Sequence, residues 1–204
     1  MLNKNSVRQK VERIIRIQTW DEALRTIIGA IIGTISYIAL SQVKMPSYKL
    51  MGLFTIQINL AILVIPIAAA FLGPLAGFLV GFLGTLGADA FFVHQFIAFG
   101  VINLSYGILG FIAGIPHYLE GEGFSNGRIL GKLIMFIAVG FLAMSLTYLV
   151  GLILVVGQNQ LSALLYNFLP LFSVSLINLL VIAPVVARLV EIVLHSIYED
   201  GFKK

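Results

Sequence analysis

Gly73-Pro74-Leu75-Ala76-Gly77-Phe78-Leu79-Val80-Gly81-Phe82-Leu83-Gly84 is the stretch from which the fold is read. A Gly-Pro turn opens an apolar run whose glycines fall at 73, 77, 81 and 84, spacings of four, four and three. On a helix this spacing predicts that all of them share one face. In lipid, apolar side chains gain little by touching each other. Helices there associate through close backbone approach, which a glycine face permits. The run leads to Asp89, the one acidic residue within any apolar span of the chain. A tightly packed helix that brings a single carboxylate to a membrane edge points to a small-molecule site inside a bundle.

The rest of the chain agrees with a membrane setting. Of its 204 residues 59% are hydrophobic and 11% charged, with a mean hydropathy of +1.02, whereas soluble domains carry about 25% charged residues. Apolar runs long enough to span a bilayer, about 20 residues, cover 23–43, 53–72, 75–93, 97–115, 130–156 and 164–190. The expectation is an all-α integral membrane protein. A six-helix transmembrane domain, 21–198, lies between an amphipathic interfacial helix, 1–20, and a cytoplasmic tail, 199–204.

With six spans, every Lys and Arg except Lys44 and Lys49 falls on one side of the membrane. The positive-inside rule then predicts a multi-pass protein of the cell membrane with both termini cytoplasmic. The net charge of +4 reads as cytoplasmic anchoring. No basic stripe interleaved with aromatic residues suggests a nucleic-acid partner. Cysteine is absent, which removes disulfide frameworks and thiolate metal sites. The first apolar run starts late and lacks a small-x-small cleavage site, so no signal peptide is expected.

Val7, Val11, Ile14 and Ile15 share a helical face in the basic N-terminal segment, predicting a helix lying on the inner leaflet of the lipid bilayer. Thr19 and Glu22 form a capping box before the first span, and Trp20 stands where interfacial aromatics are expected. Within that span Gly29 and Gly33, flanked by Ala30 and Thr34, form a GxxxG face. Such a face packs on a helix of this chain or of a partner.

Polar residues inside spans are costly, so their depth is informative. Gln57, Asn59, Asp89, Asn103, Tyr106, Thr147, Tyr148 and Asn167 fall in the outer half under this topology, and Ser175 and Asn178 follow Asn167 on one face. Taken together they predict an outward-facing cavity; taken singly each amide or hydroxyl fits interhelical bonding, about 0.6 kcal/mol per pair. Asp89 has three readings: substrate contact, pairing with Lys44 or Lys49, or exposure to the aqueous surface. His94, His117 and His195 lie apart in sequence, which argues against a metal site. There is no cysteine nucleophile and no GxSxG elbow. The segment Gly127–Leu133 lacks both the first glycine and the Ser or Thr of a phosphate loop. No catalytic residue and no cofactor is expected.

The segment Thr55-Ile56-Gln57-Ile58-Asn59, the glycine-spaced run from Gly73 to Gly84, and Asp89 resemble an S component. That is the membrane subunit that binds substrate in energy-coupling factor (ECF) vitamin transporters; the likeness is to the riboflavin or hydroxymethylpyrimidine branch. It is carried by residues 53–92 and elsewhere by hydropathy and topology. The resemblance implies six helices, a vitamin or precursor bound near the outer surface, and delivery inward with a transmembrane coupling subunit and two ATPase subunits. It also implies that small residues of the first span, here Gly29, Ala30, Gly33 and Thr34, dock the coupling subunit. Relatives with a Trp-rich outer segment after the aspartate differ from this chain, which has Phe91-Phe92-Val93-His94.

The expected binding set is Gln57, Asn59, Asp89, Asn103, Tyr106, Tyr148, Asn159 and Asn167. Amides read ring edges and phenols stack, which suits a flat, heteroaromatic, mostly neutral ligand. The alternative is a self-contained secondary transporter or channel for a small neutral solute, but such carriers keep ionisable groups near the midplane, where this chain has none.

Overall fold

The computed structural model of the chain describes residues 20–43, 47–50, 54–57, 60–92, 100–119, 127–154, 159, 175–176 and 178–201. They form helices α1 (Trp20–Ser41), α2 (Val64–Leu72), α3 (Pro74–Phe92), α4 (Gly100–Ala113), α5 (Ile115–Leu119), α6 (Gly127–Leu154) and α7 (Ala183–Gly201), with a short hairpin of β1 (Ser47–Leu50) and β2 (Phe54–Gln57). A 3-10 turn, Leu60–Leu63, precedes α2, and a π-helical turn, Asn178–Ile182, precedes α7. The expected N-terminal interfacial helix lies outside the described residues, apart from Trp20 at the start of α1.

Among the described residues, four helical stretches are long and apolar enough to cross a membrane: Ala23–Ser41, Pro74–Phe91, Gly100–His117 and Gly127–Leu154. Their outward faces are as apolar as their inward ones. On α6 the exposed large apolar side chains are Met135, Val139, Leu142, Leu146, Val150 and Leu154, and on α1 they include Ile27, Ile28, Ile31, Ile32 and Ile35. Water does not tolerate apolar faces of that extent; lipid does. The chain is a membrane protein.

One expected span needs correction. The run 53–72 is not one helix, because Phe54–Gln57 pairs antiparallel with Ser47–Leu50 in the register Ser47↔Gln57 to Leu50↔Phe54. β-Branched Thr55 and Ile56 suit a strand, and Gly52 lies in the three-residue connection. The helical remainder, Leu60–Leu72, is a shorter apolar helix, about 20 Å long at helical rise. Pro66 has no N–H to give the Ile62 carbonyl, and the chain before it winds as the tighter 3-10 turn. The run 164–190 is described only from Ser175, where the π-helical turn leads into α7, which ends at Gly201.

Short α2 sits at the centre. Ile65 and Ala69 are fully buried, and α2 meets α1, α3, α4, α5 and α7. An all-apolar helix needs such enclosure. Chain direction alternates through the bundle. Gly29 and Gly33 of α1 lie against Leu72 and Ala68 of α2, which makes those helices antiparallel, whereas Gly33 and Tyr37 meet Val80 and Gly84 of α3 in parallel order. Gly77, Gly81 and Gly114 set α3 antiparallel to α4. Gly140 and Gly151 of α6 meet Leu109 and Ile102 of α4, again antiparallel. The π-helical turn meets the 3-10 turn and α7 then packs along α2.

The glycine face also departs from expectation. Gly73 is outside the helix at φ 89, forming the single-residue link between α2 and α3. Gly77 and Gly81 face α4, whereas Gly84 turns to the Tyr37 ring of α1. The run serves two interfaces because α3 is wedged between two helices.

Candidate functional site

Four helices bring polar side chains to the end of the bundle opposite the Gly73 link. α3 carries Asp89 one turn above Thr85, whose hydroxyl donates to the Gly81 carbonyl at 2.7 Å. Asn103 and Tyr106 lie on neighbouring turns near the start of antiparallel α4, and Tyr148 lies near the end of α6. Tyr37 stands on α1, its ring against the backbone of α3: a Cβ on Gly84 would lie 2.8 Å from it. The close α3–α4 approach sets the spacing. Gly81 touches the Tyr106 carbonyl directly, which holds both helices at the separation that lets Asp89 face Asn103.

Asp89 interacts with the Asn103 amide, yet no hydrogen bond of ordinary length closes on Asn103 Nδ2, which is buried. The same carboxylate acts electrostatically on Tyr37, Tyr106 and Tyr148. The Tyr106 and Tyr148 rings stand edge to face with centroids 6.4 Å apart. Ile102 and Leu152 form an apolar patch against both rings. Asp89, Tyr106 and Tyr148 keep part of their surface open, and Tyr37 and Asn103 are buried.

Two more buried oxygens without partners lie one turn from cluster tyrosines: Thr34 Oγ1 before Tyr37, and Ser145 Oγ before Tyr148. Each orphaned group costs about 1–3 kcal/mol. Buried polar groups left without partners are few in native proteins, and each calls for an explanation. Asn178 Nδ2 is a further unpartnered buried atom, in the π-helical turn. By contrast Thr147 is tied to its own helix through the Ala143 carbonyl at 2.9 Å.

Of the eight expected binding residues, Asp89, Asn103, Tyr106 and Tyr148 come together. Gln57 stands on β2 opposite Ser47, not on a helix. Asn159 is exposed. Asn59 and Asn167 lie outside the described residues. Tyr37 was not among those expected, although it continues the Gly29, Gly33 spacing by one more turn and so carried a signal. Of the face read as docking a coupling subunit, Gly29, Ala30, Gly33 and Thr34, Ala30 is 5% exposed, Gly29 and Gly33 pack on Leu72, Ala68 and Val80, and Thr34 Oγ1 is buried. The face is used inside the chain. Among the described residues no three His, Asp or Glu side chains gather as a metal site.

No family model, curated protein or solved structure matches this chain.

Proposed function

We propose that this chain is the substrate-binding membrane subunit of an ATP-driven importer of the ECF type. It captures a vitamin or vitamin precursor, riboflavin- or hydroxymethylpyrimidine-like, at the outer membrane face. A transmembrane coupling subunit and two ATPase subunits then drive its delivery inward, and the chain itself performs no catalysis. The observation that carries this reading is the convergence of Asp89, Asn103, Tyr106 and Tyr148, from three helices, with Tyr37 from a fourth. A bundle needing only mutual packing would not place a carboxylate and unpartnered donors there, since buried polar groups in a membrane are expensive.

The reading includes six passes through the cell membrane with both termini cytoplasmic. The alternating directions of α1, α2, α3, α4 and α6, and the packing of α7 along α2, support it. So does the basic bias of the loops at the Gly73 end. The polar cluster then opens outward.

Affinity purification of the tagged chain from its native membrane tests the proposal. Co-purifying ATPase subunits and a retained small heteroaromatic molecule in native mass spectrometry are the expected results. A chain that purifies without ATPases, and that takes up solute when reconstituted alone, would instead be a self-contained carrier.

A further inference from the structure

We infer that the ligand of the Tyr37, Asp89, Asn103, Tyr106 and Tyr148 cluster carries a positive charge, an organic monocation of the quaternary ammonium or N-alkylated heterocycle class. This rests on the proposed capture role and narrows its ligand to a cationic vitamin or precursor, in place of the neutral riboflavin- or hydroxymethylpyrimidine-like one.

Asp89 is the sole acidic residue of the apolar spans, and no Lys or Arg whose side chain is described acts on it. Three phenols and one carboxamide share its electrostatic surroundings, all formally neutral. A bound neutral molecule would displace water from the carboxylate and return no counter-charge. A bound anion would add repulsion. A cation removes the imbalance, and the site is suited to it in a second way. Aromatic rings attract cations through their faces, and an aromatic cage beside a carboxylate is the arrangement that selects quaternary ammonium groups. The edge-to-face geometry of Tyr106 and Tyr148 leaves one ring with its faces unstacked by the other.

Asn103 contributes the remaining selectivity. Its side chain is 1% exposed and its Nδ2 is unpartnered beside Asp89. An N–H held beside the carboxylate without a close hydrogen bond is placed to donate to an acceptor on the ligand near the cationic centre. A flat ring with a cationic nitrogen and a nearby carbonyl or ring nitrogen satisfies Asp89, the phenols and Asn103 together.

The test uses the full chain in nanodiscs and two matched probes, the 1-methylnicotinamide cation and neutral nicotinamide, titrated by calorimetry. The expected result is binding of the cation about tenfold or more tighter than the neutral probe. In D89N the preference falls to near parity. Y106F and Y148F, which keep the rings, retain most of it, whereas Y106L loses it. The wild-type comparison needs no variant to fold. Equal or tighter binding of nicotinamide, a preference that survives D89N, or no saturable binding of either probe would overturn the inference. The importer role is read separately by ATPase co-purification, which is blind to ligand charge, so the two proposals fail independently.

Discussion

Gly81 of α3 lies directly against the Tyr106 carbonyl of α4, so that a Cβ at Gly81 would occupy the space of that backbone oxygen. One glycine thus fixes both the helix separation and the position of a cluster tyrosine. G81V is expected to destabilise the bundle by about 1–3 kcal/mol, the usual cost of overpacking, because backbone atoms cannot swing aside as a side chain would. It should also weaken binding of the cationic probe by displacing Tyr106. Gly131, with nothing within 4 Å of an added Cβ, is the control. G131A should be neutral or stabilising by up to about 1 kcal/mol. Unfolding midpoints in a denaturing-detergent titration report both.

The close α3–α4 packing was legible in the sequence because glycine spacing is a backbone property that tertiary context rarely overrules. The spans at 23–43, 75–93, 97–115 and 130–156 were legible for a similar reason, since hydrocarbon thickness sets their length. Which neighbour each glycine meets was not legible. Gly77 and Gly84 differ by a small rotation, and only the placement of α1 beside α3 decides that Gly84 belongs to Tyr37. The same ambiguity hid the true use of Gly29 and Gly33, since a small-residue face reads identically whether its partner is internal or external. The β1–β2 hairpin was masked by hydropathy: Phe54–Gln57 continues the apolar run of α2, and composition alone does not distinguish strand from helix there. Asp89, Asn103, Tyr106 and Tyr148 could be grouped because polar residues at matched depth have few neighbours other than each other.

Gly73 joins α2 to α3 in one residue at φ 89 and ψ 176, its N–H bonded to the Ala69 carbonyl at 2.9 Å. That region is open to glycine and costs other residues about 1–3 kcal/mol. G73A is therefore expected to lower stability by about that amount. Its effect on ligand binding should be small, since the link lies at the end of the bundle away from Asp89. Detergent-titration midpoints and probe titrations on the same variant would separate the two effects, and a large loss of affinity at unchanged stability would contradict this placement.

At that same end the His117 Nδ1 donates to the Ala70 carbonyl at 3.0 Å, satisfying one of the last carbonyls of α2. H117A should cost about 0.5–1.5 kcal/mol and H117N, with an amide N–H in reach, should recover part of it. Hydrogen exchange of α2 amides read by mass spectrometry should show the C-terminal turn of α2 opening first in H117A.

Asn103 separates a binding role from a structural one, because the two make opposite demands on stability. If its amide served the fold, removing it would destabilise the protein. Its Nδ2 is instead buried without a close hydrogen bond, a burden of about 1–3 kcal/mol that an apolar group of similar size would relieve. N103L is therefore expected to raise the unfolding midpoint of the empty protein while weakening probe binding about tenfold or more, the loss of a hydrogen bond to a charged or strongly polar ligand. In saturating probe the order should invert, because ligand stabilises only the protein that binds it. An N103L variant that is less stable when empty, or equally stabilised by the probe, would return Asn103 to the ordinary packing of α3 on α4.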